Sequence, residues 1–197
     1  MIHSELDNHI VTVSQLQIAL SVGVNSIQAQ LSNLSLKADT QTPEGLYELL
    51  EVTVEQLLEN ALHWTHLLGS SETFESRETA EEVFERLSLQ ERGKFSAETL
   101  SNVEGIITQT DKPAVLQDAG EAAYVVITLL LGTAHDRPLF GPIDTIGGMK
   151  TALSQLRSLS SDYLLVLELL WSPQAQTDTL SVEDMATYYG DMKAIAS

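Results

Sequence analysis

Residues 123–132 read AYVVITLLLG, and residues 163–171 read YLLVLELLW. In the first run, Ala123, Val125, Ile127 and Leu129 fall on one side of a period-two pattern, and Tyr124, Val126 and Leu130 fall on the other. Both sides are apolar, so a strand made from it must be covered on both faces. The second run has the same character. Each is strand-sized and well short of the ~18 apolar residues that a membrane helix requires. The two runs predict mid-sheet strands, and the remaining elements must supply the cover.

Outward from these runs, residues 10–20 (IVTVSQLQIAL) set Ile10, Leu16, Ile18 and Leu20 on one side, a strand with one covered face. Val24, Ile27, Leu31, Leu34 and Ala38 then follow helical spacing. Thr42 reads as an N-cap and Pro43 as the first residue of a helix reaching about Asn60. Its buried stripe is Leu46, Leu49, Leu50, Val54, Leu57, Leu58, Ala61 and Leu62. GSSETFESR, residues 69–77, reads as a loop. Ser76 caps a helix carrying Ala80, Val83, Phe84 and Leu87, and Ser88-Leu89-Gln90-Glu91 has the spacing of a capping box that opens another. Val103–Gln109 is expected to pair with Ala122–Leu131 as a hairpin. After the turn-rich AHDRPLFGPID comes a helix with Ile146, Met149, Leu153 and Leu156 inward, and a short terminal helix follows Ser181. Pro173 cannot donate to a ladder, so pairing stops after Trp171-Ser172. The expected fold is α+β: a mainly antiparallel sheet of four to five strands packed with about five helices. It occupies residues 10–197 as one domain behind a nine-residue tail.

Composition narrows the partners. Ten basic residues face 28 acidic ones, a net charge of −18. That disfavours nucleic acid and anionic lipid and favours cations or a basic protein surface. No cysteine is present, so disulfides, thiolate metal sites and cysteine nucleophiles are excluded. MIHSELDNHI has neither the basic nor the apolar region of a signal peptide. A cytosolic or peripheral chain, without direct membrane insertion, is expected.

Four features could carry chemistry. Glu44, Glu48, Glu51, Glu55 and Glu59 form a stripe with no lysine or arginine three or four residues away. It is either a solvated face or a docking face for a basic partner. Glu78, Glu81, Glu82 and Glu85 form a second cluster, offset by Arg77 and Arg86. His63 and His66, three apart, could share a helix face and begin a metal site, which would need a third ligand; ordinary surface histidines are the alternative. Glu168 lies inside an apolar run. It is either a proton-sensing carboxylate or one paired with a basic side chain at the sheet margin. Gly147-Gly148 lies outside any phosphate-binding motif and reads as a tight turn or close helix contact. No nucleophile elbow is present, and no cofactor is implied.

VTVSQLQIAL, ADTQTPEGLYELLEVTVEQLL, FERLSLQERGKFSAETLSNVEG and LELLWSPQAQTDTLSVEDM occur in the order and at the spacing of one family. From about residue 10 onward the chain resembles the domain of unknown function 1517 family of cyanobacteria and chloroplasts, which includes plant fluctuating-light acclimation proteins. The resemblance implies no catalytic residue. Plant members look like thylakoid or envelope proteins that influence photoprotection through lumen pH and ion balance. Many carry an N-terminal hydrophobic segment that is not in this sequence. The expected function is therefore a non-enzymatic, soluble regulatory or interaction domain. It would dock to a thylakoid membrane protein or photosynthetic complex with a basic surface, from the cytoplasm at the thylakoid periphery. The alternative is a metal- or small-molecule-binding enzyme using His63, His66 and nearby carboxylates.

Overall fold

A computed structural model describes residues 5–21, 27–100, 123–175 and 178–195, with residues 95–100 as backbone only. Five strands form one antiparallel sheet: β1 (Val11–Ser21), β2 (Trp64–Phe74), β3 (Tyr124–Thr133), β4 (Leu164–Ser172) and the two-residue β5 (Lys193–Ala194). Their order across the sheet is β4-β3-β1-β2-β5. The helices are α1 (Ile27–Lys37), α2 (Pro43–Glu59), α3 (Arg77–Leu100), α4 (Ile146–Leu156) and α5 (Val182–Tyr188). The α+β architecture expected from the apolar runs is what the chain adopts.

Period-two alternation divides the cover. Leu16, Ile18 and Leu20 of β1 and Val125, Ile127, Leu129 and Leu131 of β3 pack against α1, α2 and α4 in the main core. On the other face, Val11, Val13 and Leu130 meet Ala80 and Phe84 of α3. Ala19 and Val126 meet Met185, Tyr189 and Met192 at α5 and just beyond it. Hence β1 is buried on both faces from Val11 to Leu20, where one covered face was expected. Its odd-numbered side includes Gln15 and Gln17, whose polarity hides the second buried face from a hydropathy pattern.

Helix starts follow the capping chemistry. Thr42 Oγ1 accepts the Gly45 N–H at 3.1 Å, and Thr145 Oγ1 accepts the Gly148 N–H at 3.0 Å. Ser76 accepts from Thr79, and Ser181 forms a full capping box with Asp184. Each such cap contributes about 1 kcal/mol. The exception is Ser88. α3 runs unbroken through it, because its hydroxyl turns to Glu168 on β4 at 2.7 Å and caps nothing. The two expected helices are therefore one. Leu62, placed in the buried stripe of α2, is 95% exposed in the 3-10 turn that follows the helix.

Two strand assignments also change. GSSETF is not a loop: β2 continues to Phe74, held by β1. Thr12 and Thr73 share a hydroxyl hydrogen bond at 2.7 Å and Ser14 and Ser71 one at 2.8 Å, each between directly opposed residues. β4 is not central. Among the described residues it pairs with β3 alone, at the end of the strand order; its double-sided apolar character comes from helices, since both α2 and α3 contact it. The strand expected over Val103–Gln109 lies outside the described residues, and both edges of β3 are filled by β1 and β4. Gln28, buried on α1, donates from Nε2 to the carbonyls of Pro173, Ala175 and Asp178 at 2.9–3.2 Å, which fixes the chain after β4.

Gly69 is required by a close approach: a Cβ there would sit 2.4 Å from Ile143 Cδ1, whose segment crosses β2. Gly93 on α3 has nothing within 4 Å of its Cβ position. Gly69→Ala should therefore cost about 1–3 kcal/mol by overpacking. Gly93→Ala should gain roughly 0.5–1 kcal/mol from helix propensity. Urea denaturation of the two variants reads both signs.

Candidate functional site

Two regions gather the chain's charged side chains. The first is the outer side of α2. Glu44, Glu48, Glu55 and Glu59 are exposed, and none makes an ion pair among the described residues. Glu51 approaches Arg157 Nη2 at 4.0 Å. The stripe persists despite its self-repulsion because the opposite side of α2 buries Leu49, Leu50, Val54 and Leu57. Such burial is worth about 1.5–3 kcal/mol per side chain, against roughly 0.2–0.5 kcal/mol lost per like-charged pair.

The second region lies between α3 and the second face of the sheet. Ser88, Glu91 and Arg92 stand three and four residues apart, on one side of the helix. Glu168 of β4 accepts from Ser88 Oγ at Oε2 and from Arg92 Nη2 at Oε1, both at 2.7 Å. Its place in an apolar run thus resolves as a paired carboxylate. One turn inward, Glu91 is buried: its Oε1 accepts from Lys94 Nζ at 2.8 Å and from Gln15 Nε2 at 3.2 Å. Lys94 Nζ also lies 4.2 Å over the ring of Tyr189, and Gln17 Nε2 donates to Thr128 Oγ1 at 2.9 Å. Glu91 Oε2 and Gln17 Oε1 are buried and have no hydrogen-bond partner among the described residues. Sequence reading took Glu91 for part of a cap. The signal for its true place was the 88, 91, 92 spacing, which continues the inward stripe of Ala80 and Phe84 in polar form.

Toward the start of α3 the same interface opens into a cleft of about 560 Å³. Val11, Val13, Gly132 and Val166 form its floor and Ala80 and Phe84 its wall.

The histidine pair is not assembled as expected. His63 ends a 3-10 turn and His66 lies on β2, so they share no helix face. Among the described residues no group of three or more histidine and carboxylate side chains could hold a metal. His66 meets Tyr124 edge-on at 5.6 Å, and burial lowers its pKa from the ordinary value. His135 leans on Tyr163 with ring centroids 4.6 Å apart, and its buried Nδ1 has no partner among the described residues. Burial lowers its pKa too, with Arg137 adding to the shift and Glu5 and Asp136 opposing it. The Gly147-Gly148 turn is closed by the chain's own Thr145 hydroxyl.

Lys94→Met should cost about 3 kcal/mol, because it leaves the Glu91 charge buried and unpaired. Arg92→Met should cost less, about 1 kcal/mol, since Arg92 is itself more than half exposed and Glu168 keeps the Ser88 hydroxyl. Adding Glu91→Gln to Lys94→Met should restore most of the loss in urea melts. A pH series tests His66 and His135. Their folded pKa values lie below the unfolded one, so the unfolded state takes up protons first as pH falls. Stability should therefore be complete above the unfolded value of about 6.5 and decline below it. His135→Phe should flatten that decline in thermal melts between neutral and mildly acidic pH.

A family model described as "Protein of unknown function (DUF1517)" matches residues 10–195. The chain is similar to "Protein FLAP1 homolog A" of Synechocystis sp., 31% identical over 194 residues that cover 94% of this chain and 57% of that protein. It is also similar to "FLUCTUATING-LIGHT-ACCLIMATION protein 1, chloroplastic" of Arabidopsis thaliana, 34% identical over 187 residues, or 93% of this chain and 46% of that protein. The chain spans about half the length of these curated relatives. No solved structure gives a significant match. The chain belongs to the DUF1517 family.

Proposed function

We propose that this chain is a non-enzymatic interaction domain in photosynthetic light acclimation, which docks a basic surface of a thylakoid protein or photosynthetic complex. The name of the Arabidopsis relative supports the setting. Among the described residues no helix is long and apolar enough to cross a membrane, which suits a docking role for this part of the chain. The observation that carries the reading is the row Glu44, Glu48, Glu55 and Glu59, exposed and without ion pairs among the described residues, in a chain of net charge −18. A basic partner would relieve the repulsion along the row and gain a steered encounter, both sensitive to salt. Leu62, nearly fully exposed just past the end of the row, supplies an apolar anchor beside it.

The test is capture from a solubilised thylakoid extract by the purified domain. Replacing Glu44, Glu48, Glu55 and Glu59 by glutamine keeps size and fold while removing charge. Capture should fall by roughly ten-fold at low salt, and wild-type capture should fall similarly when salt is raised. Equal capture by the glutamine variant and the wild type would reject the stripe as the contact.

A further inference from the structure

We propose that the cleft between α3 and the sheet binds a small dipolar molecule with an apolar body: a peptide of two or three apolar residues with free amino and carboxyl ends. The inference stands on the floor of the cleft and on the order of charges along its helical wall, and it does not rest on the α2 contact.

The floor is built by register. Val13 of β1, Gly132 of β3 and Val166 of β4 lie in one row across three strands. Gly132, between two valines, keeps the row low at its middle: a Cβ there would come within 2.9 Å of Val166 Cγ1. Ala80 and Phe84 of α3 wall the depression. The space, about 560 Å³, lies in the range of roughly 300–1,000 Å³ usual for small-molecule sites. Leu165 and Val166, which also line it, are 39% and 36% exposed, so apolar surface in the cleft still faces water. A ligand's apolar side chains would cover that surface, which is favourable.

Charge gives the ligand its ends. Arg77, Glu81 and Glu85 line the cleft, and all three are exposed. Arg77 is the first residue of α3, where the helix dipole is positive, and the two glutamates follow one and two turns along. Arg77 forms an ion pair with neither glutamate. Their order disfavours one: on a helix an acid four residues before a base pairs better than the reverse. The wall therefore presents a positive end followed by a negative end. A carboxylate at Arg77 and an ammonium at Glu81 or Glu85 would match both. Glu168, at the inner end of the cleft, takes no part, because its two oxygens already accept from Ser88 and Arg92.

Length follows from the same spacing. At roughly 1.5 Å of rise per residue, Glu81 and Glu85 lie about 6 and 12 Å along the helix from Arg77. An extended peptide advances roughly 3.3–3.6 Å per residue, so two or three residues hold its end charges a comparable distance apart. A simple cation gains at the glutamates and is opposed by Arg77, and a simple anion meets the reverse. A neutral apolar molecule gains the floor and leaves both ends unmatched. The dipolar ligand gains at all three places.

The test is titration of the whole chain with leucyl-leucine at low salt, followed by amide NMR. The amide signals of Gly132 and Val166 should shift. Binding should weaken roughly ten-fold when the peptide is N-acetylated, when it is C-amidated, and when glycylglycine replaces it. Arg77→Gln should weaken leucyl-leucine by roughly ten-fold yet leave its amide within about two-fold, because the amide has no carboxylate for Arg77 to hold. Glu81→Gln with Glu85→Gln should weaken leucyl-leucine likewise and leave its N-acetyl form within about two-fold. All three side chains are exposed, so the variants keep the fold, which the same spectra verify. The glutamine variant of Glu44, Glu48, Glu55 and Glu59 should bind leucyl-leucine within about two-fold of wild type, so the two sites are tested apart. No shift at Gly132 and Val166 would overturn the proposal. So would equal binding of the blocked peptides, which would mean that the charged ends are not read, or equal binding of glycylglycine, which would mean that the floor is not.

Discussion

The structure depends on one strand having no free side. β1 is hydrogen-bonded along both edges, to β2 and β3, and buried on both faces from Val11 to Leu20. Every polar side chain on it must find a partner inside the protein, because an unpaired buried polar group costs about 1–3 kcal/mol. Thr12 and Ser14 take hydroxyls on β2, Gln15 takes Glu91 on α3, and Gln17 takes Thr128 on β3. Each of these bonds fixes another element. The Thr12 hydroxyl also donates to the carbonyls of His135 and Arg137, which holds the segment leaving β3 against the sheet. A buried strand of alternating apolar and polar residues thus dictates where its neighbours lie.

The two faces of the sheet differ in how much freedom they allow. The face under α1, α2 and α4 is a continuous apolar core, where size and shape decide fit. The face under α3 is apolar at each end and charged between them, where Gln15, Glu91, Lys94, Arg92 and Glu168 meet. A charged interior layer is costly unless its geometry is satisfied, so it tolerates fewer arrangements than an apolar one. Substitution on the first face would change stability by degrees, and substitution of Lys94 or Glu91 would do so abruptly.

Much of this could be read from local chemistry. Thr42-Pro43 and Ser181 mark helix starts because the capping partners lie within three residues. The apolar run of β3 marks a doubly covered strand because its cover needs no polar detail. What escaped reading depends on distant partners. The tail of β2 looks like a loop until Thr12 and Ser14 are placed opposite it. Ser88 looks like a cap because its partner Glu168 is 80 residues away. β4 looks central because its apolar faces record helices above and below but say nothing about a strand beside it. The α2 glutamates were found from spacing alone, since exposure needs no partner. Glu91 was missed because it is acidic, and acidic residues on helices are usually outside.

The grip of Gln28 on the carbonyls of Pro173, Ala175 and Asp178 has a kinetic side. It closes a loop of 145 to 150 residues through a single side-chain amide. The β1–β3 ladder spans a comparable stretch, pairing Thr12 with Thr133 and Ser21 with Tyr124. Such high contact order predicts slow, late assembly, in which the first third of the chain waits for the last. During synthesis β1 and α1 would emerge long before the segments that complete them, and would spend that interval as clients for chaperones.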